Sequence, residues 1–161
     1  RAALTGHLVL STLHTNDAAS AITRLLDMEV EPYLVASSVI GAVAQRLARR
    51  LCPSCREPYE VPPGAPERFL LGLPPGTVHA WRGRGCADCN GTGYKGRLAL
   101  FELLVMTPEL RELTVQRASA AELRRMAVEQ GMRTLVQDGV AKALDGLTSL
   151  EEVRRVAYYE G

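Results

Sequence analysis

Apolar and polar positions alternate near the amino terminus and then change to a helical spacing. Residues 6–13 (GHLVLSTL) are β-branched, apolar and alternating, which predicts a strand. Asn16 and Asp17 supply a helix N-cap, and the apolar positions from Ile22 onward predict a helix that ends near Met28. The chain therefore begins with a predicted strand followed by a helix.

A second helix is predicted directly afterwards. Pro32 fits the first turn of a helix, where its missing N–H is harmless. Val35, Val39, Val43 and Leu47 form an i, i+4 stripe. We therefore expect one helix to carry the whole stripe.

The last third of the chain predicts a strand followed by helices. Residues 96–104 (GRLALFELL) form the strand, and Glu102 interrupts its apolar run. Helix-start signals follow at three places, namely Thr107-Pro108, Ser119–Glu122 and Thr148–Glu151. Gly131 and Gly146 are typical of helix C-terminal caps.

The composition changes in the middle of the chain. Residues 52–93 contain seven of the nine prolines, in stretches such as PPGAPE and LPPG. A segment with so many breakers cannot build an ordinary core and depends on a cross-link or a metal. We therefore predict an inserted subdomain here.

All four cysteines lie in this subdomain as two C-x-x-C pairs, Cys52/Cys55 and Cys86/Cys89. Two tight turns of this kind present four thiolates to one tetrahedral ion, and this ligand set favours zinc. Because four thiolates leave no open position for water, the zinc is expected to be structural. The alternatives are a pair of redox dithiols or two unrelated cysteine turns.

Two histidines bracket the polar end of the first predicted strand. His14 follows Thr12 and precedes Thr15 and Asn16, and His7 lies near the start of the strand. Neutral donors at a strand end before a helix N-terminus favour an anion such as a phosphate. From the residues alone, the alternative is that both histidines are ordinary, partly buried residues satisfied by their neighbours.

Net charge, aromatic content and hydropathy argue against several classes of protein. The formal net charge is +1 and the aromatic content is 5%, so neither electrostatic attraction nor stacking favours nucleic acid. No apolar run approaches the ~20 residues of a membrane-spanning helix. The chain starts at Arg1 without an initiator Met or an export signal, so we expect a cytosolic chain cut from something longer.

No catalytic machinery is recognisable within the chain. The phosphate-binding pattern G-x-x-x-x-G-K-[ST], an acidic run that ends a strand and a Ser/His/Asp triad are all missing from the sequence. We therefore expect that this segment alone does not hydrolyse ATP.

Several motifs occur in a specific order, namely ALTGHLVLSTLHTND (2–17), ITRLLDM (22–28), AQRLARRLCPSC (44–55), GCADCNGTGYKGR (85–97), ELL (102–104) and LTSLEEVRRV (147–156). This ordered set resembles the hexameric ATPases that drive type II secretion and type IV pilus assembly. The stretch from Cys86 to Gly93 alone also resembles the zinc modules of J-domain co-chaperones. Those modules repeat the motif C-x-x-C-x-G-x-G several times. In this chain the first cysteine pair, in CPSCREP (52–58), departs from that motif.

The resemblance implies an α/β fold: the C-terminal part of a RecA-like P-loop ATPase domain with an inserted tetracysteine zinc subdomain and C-terminal helices. The implied domains are the core (1–51), the zinc-binding subdomain (52–93) and a strand with a helical region (94–161). The opening stretch is similar to the histidine box of the family. The residues implied in nucleotide sensing are His7, His14, Thr12, Thr15 and Asn16.

Three further residues match family signatures: Arg24, Gln45 and Arg46, with an implied role between elements or subunits. The implied cofactors are structural Zn²⁺ and, in the complete protein, ATP and Mg²⁺. The implied partners are further copies in a homo-hexamer and an inner-membrane platform protein, with no sequence-specific nucleic acid. The implied location is cytoplasmic and peripheral to the inner membrane.

The chain departs from the family because the phosphate-binding loop, the magnesium-side acids, the catalytic glutamate and the arginines of the preceding domain are missing. The tetracysteine motif favours assembly over retraction motors. Pilus assembly, secretion and DNA uptake remain open. The alternative function is a free-standing zinc-bound interaction module without nucleotide.

Overall fold

The structure, a computed structural model, describes residues 1–158 and divides into two units. The first unit consists of residues 1–44 and 102–134. The second consists of residues 45–101 and 135–158. Each unit contains helices and strand residues, so the predicted mixed α/β class is confirmed. The RecA-like core and the domain limits given above remain predictions.

The described elements alternate between helices and strands along the chain. They are α1 (Ala18–Asp27), α2 (Pro32–Ser38), β1 (Gly41–Leu51), β2 (Arg56–Glu60), α3 (Pro66–Leu70), β3 (His79–Gly83), β4 (Tyr94–Val105), α4 (Pro108–Val115), α5 (Ala120–Glu129), α6 (Leu135–Leu144) and α7 (Leu150–Ala157), with short 3₁₀ helices at Ala2–Thr5 and Ala87–Cys89. Strand β1 pairs with β4, and β2 pairs with β3. No described helix is long and apolar enough to cross a membrane.

Helices α1, α2, α4 and α5 form the packed part of the first unit. Helix α1 packs against α5 and α2, and α4 packs against α2 and α5. Ile22, Leu110 and Leu123 are fully buried. Asp17 caps α1, as predicted, because its carboxyl accepts a hydrogen bond from the Ser20 N–H at 2.8 Å.

Local capping signals also predicted the starts of the next two helices. Thr107 caps α4, with Pro108 at its first position. Ser119 and Glu122 form the capping box of α5. Gly131 follows this helix with a φ of 100°, a left-handed conformation that favours glycine.

A hairpin and two helices organise the second unit. Strands β2 and β3 are antiparallel, with Arg56 opposite Gly83 and Glu60 opposite His79. Helix α6 packs against β3 and α7, and α3 packs against α7. The hairpin therefore has one end at residues 56 and 83 and the other at residues 60 and 79.

The predicted strand at residues 6–13 is wrong. Residues 7–15 have no regular secondary structure, and Leu8 and Leu10 are 75% and 88% exposed. An alternating pattern becomes a strand only when a neighbour supplies hydrogen bonds, and no described strand pairs with this segment.

The predicted helix from Pro32 through Leu47 is too long. Helix α2 ends at Ser38, and Val43 and Leu47 lie in β1. The β-branched pair Val39 and Ile40, followed by a glycine, favours extended structure over a helix.

The predicted start of the last helix is displaced by one residue. Ser149, not Thr148, caps α7 by accepting the N–H of Glu152 at 3.1 Å. The hydroxyl of Thr148 instead donates to the carbonyl of Arg49 at 2.8 Å.

A buried carboxyl joins α7 to β1 within the second unit. The Glu152 side chain is 0% exposed and accepts hydrogen bonds from the Arg49 N–H at 2.8 Å, from the Arg49 guanidinium at 2.7 Å and from Arg155 at 2.7 Å. The Arg49 guanidinium lies 4.1 Å from the centre of the Tyr94 ring. Burial alone raises the pKa of Glu152, but the hydrogen bonds from Arg155 and Arg49 outweigh it and lower the pKa to about 2.

We expect Glu152→Gln to lower the free energy of unfolding at pH 7 by about 1–3 kcal/mol, because a charge-assisted network loses its acceptor. A carboxyl with a lowered folded pKa stabilises above its unfolded pKa and loses this effect as the pH falls toward the folded value. The difference between wild type and variant should therefore shrink as the pH falls from 4.5 toward about 2. Denaturant unfolding across this range measures it, and a pH-independent difference would contradict the assignment.

Candidate functional site

The four cysteines lie at one end of the β2–β3 hairpin. Cys52 directly follows β1 and Cys55 directly precedes β2. Cys86 and Cys89 lie in the connection from β3 to β4, where a 3₁₀ turn brings them together. Because Arg56 pairs with a residue of β3 just before Cys86, both cysteine turns extend beyond the same end of the hairpin.

The four sulfur atoms form one cluster. All lie within 4.8 Å of one another, and the Sγ atoms of Cys52 and Cys86 are 3.8 Å apart. The Sγ atom of Cys89 lies 3.8 Å from that of Cys55 and 3.7 Å from that of Cys86. A tetrahedral ion with metal–sulfur bonds of ~2.3 Å needs sulfur–sulfur separations of ~3.8 Å. The spacing of the cluster therefore fits a single tetrahedral metal ion.

Backbone donors and burial shift the pKa values of two of the four thiols in opposite directions. The N–H groups of Cys86 and Gly93 each donate to Cys89 Sγ at 3.2 Å. At Cys89 burial opposes ionisation, but these donors outweigh it and lower the pKa of the thiol to about 6. At Cys55 burial dominates and raises the pKa to about 11. A bound cation would deprotonate such thiols, since only the thiolate is a good metal ligand.

Close backbone contacts between glycines bring the connecting loops together. A Cβ atom at Gly83 would lie 2.3 Å from the carbonyl oxygen of Gly93, and one at Gly85 would lie 2.6 Å from that of Gly91. The Gly93 carbonyl also accepts the N–H of Cys52 at 2.9 Å. The roles of Gly83 and Gly85 were not predicted from the sequence, although glycines beside a cysteine turn were the available signal.

Residues 14–16, at the end of the stretch that resembles the histidine box, lie beside helix α1 in the first unit. His14, Thr15 and Asn16 line an open, polar depression of about 270 Å³ together with residues of α1, namely Ser20, Thr23, Arg24 and Asp27. The Thr15 hydroxyl donates to the Asp17 carbonyl at 3.1 Å. The depression is wide and polar enough to admit water and small anions, and it contains both an imidazole and a guanidinium.

The structure does not gather all of the predicted sensing residues. His7 and Thr12 are exposed and do not line this depression, and His7 Nδ1 lies 3.1 Å from the Thr5 hydroxyl. Gln45 and Arg46 lie on β1 in the second unit. Of the three further residues predicted to act between elements or subunits, Arg24 lines the same depression as His14.

Comparisons with known proteins agree with the motifs. Residues 1–155 match the family described as type II/IV secretion system protein. The chain is 50% identical over 158 residues to a type IV pilus assembly ATPase PilB of Myxococcus xanthus, covering 95% of this chain and 27% of that protein. It is 50% identical over 155 residues to a PilB of Thermus thermophilus, covering 94% and 17%. It is 48% identical over 163 residues to a type II secretion system protein E of Pseudomonas aeruginosa, covering 99% and 32%. The chain thus spans about a third or less of these relatives.

We expect Gly83→Ala to lower the free energy of unfolding by about 1–3 kcal/mol, because its Cβ would meet rigid backbone rather than a movable side chain. Gly64→Ala is the matched control, since nothing lies within 4 Å of a Cβ atom at Gly64. It should change stability by no more than about 0.5 kcal/mol. Denaturant unfolding of both variants measures the difference, and equal stabilities would refute the close approach.

Proposed function

Because the chain belongs to the type II/IV secretion system protein family, we propose that it is a portion of a hexameric ATPase that powers type IV pilus assembly or type II secretion. The match over residues 1–155 is the observation that carries the proposal. Two of the relatives described above are pilus assembly ATPases and one is a type II secretion protein. The portion supplies RecA-like core residues, a zinc subdomain and C-terminal helices.

The four cysteines are proposed to hold one structural zinc ion. The sulfur separations of 3.7–3.8 Å support this role, as does burial of Cys52, Cys55 and Cys89. A four-thiolate site leaves no position for water, so the ion stabilises the turns and takes no part in hydrolysis.

Replacing both residues of one pair, as in Cys52→Ser with Cys55→Ser, should remove all of the zinc and lower the unfolding temperature, because a shared site does not survive with two ligands. Metal analysis of protein purified without chelator should find one zinc per chain in the wild type. Ser54→Ala is the control, since its hydroxyl bonds Asp88 and is no ligand. Loss of half the metal, or no metal in the wild type, would refute the single site.

The depression beside α1 is proposed to face the terminal phosphate of ATP in the complete protein. His14 and Asn16 supply hydrogen-bond donors and Arg24 adds a cation at the same depression, which Thr15 also lines while its hydroxyl donates to the Asp17 carbonyl. His7 and Thr12 join this role in the proposal through the family resemblance. ATP and Mg²⁺ are held by residues outside this chain, because the chain contains no phosphate-binding loop.

In the complete ATPase, His14→Ala should lower kcat by about 10²-fold, because one preorganised donor to the transferring phosphate is lost. His79→Ala is the control, since this exposed histidine lies on β3 in the second unit. Steady-state ATP hydrolysis measures both variants. A kcat unchanged by His14→Ala would refute nucleotide sensing.

The proposed partners follow from the same family membership. They are further copies of the chain in a homo-hexamer and an inner-membrane platform protein, with the motor on the cytoplasmic side of that membrane. Arg24, Gln45 and Arg46 are proposed to act between elements or subunits. A free-standing zinc-bound module is the second candidate, which the four-cysteine cluster alone also supports.

A further inference from the structure

One charged side chain is buried inside strand β4. Glu102 is 1% exposed and points to the same side as the buried Leu104, whereas Leu103 between them is 53% exposed. Burying a carboxyl group is costly unless hydrogen bonds compensate it. Glu102 therefore needs an interior partner.

One such partner is the start of helix α1. The Oε1 atom of Glu102 accepts the backbone N–H of Ala18, the first residue of α1, at 3.0 Å and across 84 positions of sequence. Ala18 is 1% exposed, so water cannot replace this acceptor. The Asp17 carboxyl separately accepts the N–H of Ser20 at 2.8 Å. Two carboxyl groups thus satisfy two of the four unpaired N–H groups that every helix start exposes.

Three of the residues that line the depression directly precede this capped turn. Along the chain, the single residue Asp17 connects His14, Thr15 and Asn16 to α1, so the position of the first helical turn fixes where this segment ends. Asp17 is part of the same short stretch, whereas Glu102 belongs to a strand. Glu102 therefore ties this turn to a β-strand.

We propose that Glu102 is a positioning residue that holds the His14–Asn16 segment in place through the amino end of α1. This inference rests on the proposed phosphate-sensing function of the segment. Glu102 acts through the backbone N–H of Ala18 and does not itself contact the nucleotide. Its loss should lower kcat and leave the KM for ATP nearly unchanged, because the phosphate-binding loop lies outside this chain.

The test is a double-mutant cycle in the complete ATPase. Glu102→Ala should lower kcat about 10–100-fold, the effect of displacing a reacting group by ~1 Å. Glu102→Gln keeps the acceptor oxygen and should restore kcat to within about threefold of wild type. Glu102→Ala combined with His14→Ala should be no slower than His14→Ala alone, because both changes disable the same group.

Ser149→Ala is the matched control for the loss of a helix cap. The Ser149 hydroxyl accepts the N–H of Glu152 at 3.1 Å at the start of α7, which belongs to the second unit, whereas residues 14–16 belong to the first. This variant should keep kcat within about twofold of wild type, since cap losses cost only ~1 kcal/mol of stability. Glu102→Asp shortens the side chain by one methylene and carries the test where the alanine variant does not fold.

The outcomes separate this inference from the proposed function. Independent, multiplicative effects of Glu102→Ala and His14→Ala would overturn the positioning role and leave nucleotide sensing intact. No effect of His14→Ala would refute sensing itself, and the positioning role with it. Amide hydrogen exchange gives a readout without turnover: Glu102→Ala should speed exchange in peptides spanning residues 14–20, and unchanged exchange there would overturn the inference.

Discussion

The cluster of four cysteine sulfur atoms determines how the proline-rich segment, residues 52–93, is arranged. Residues 52–93 are rich in proline, and the buried cluster at their cysteine turns consists of Cys52, Cys55 and Cys89, with Cys86 partly buried against them. Each cysteine instead lies at or near one strand end: Cys52 after β1, Cys55 before β2, Cys86 after β3 and Cys89 before β4. One cluster therefore fixes all four of these ends.

Buried carboxyl groups make a second kind of long-range connection, one in each unit. Glu102 accepts the N–H of Ala18, and Glu152 accepts the N–H of Arg49 across 103 positions of sequence. Both acids satisfy a backbone donor that regular structure leaves open. A buried carboxyl group must keep its hydrogen-bond partners. The two elements that it joins can therefore pack in fewer ways than two elements joined by an apolar contact.

Features that depend on nearby residues could be predicted from the sequence, whereas those that depend on distant residues could not. The caps of α1, α4 and α5 and strand β4 follow from local spacing. The cysteine cluster is the exception, since its two halves are far apart in sequence but each carries the same recognisable C-x-x-C spacing. The stripe Val39, Val43 and Leu47 gave a wrong helix prediction. A spacing of four residues places side chains on one side of a helix, but it also places them on one face of a strand. The acceptor for Ala18 and the close approach of Gly83 to Gly93 involve partners that no short pattern contains.

The antiparallel hairpin separates the cysteine turns from the segment that connects β2 to β3. Glu60 pairs with His79 at the end away from the sulfur atoms, so residues 61–78 enter and leave at that end. Lengthening a flexible connection costs only ~0.6 kcal/mol for each doubling of its length. The number of residues between the two cysteine pairs is therefore weakly constrained outside helix α3, which packs against α7. Insertions on either side of that helix can accumulate during evolution without moving the cluster.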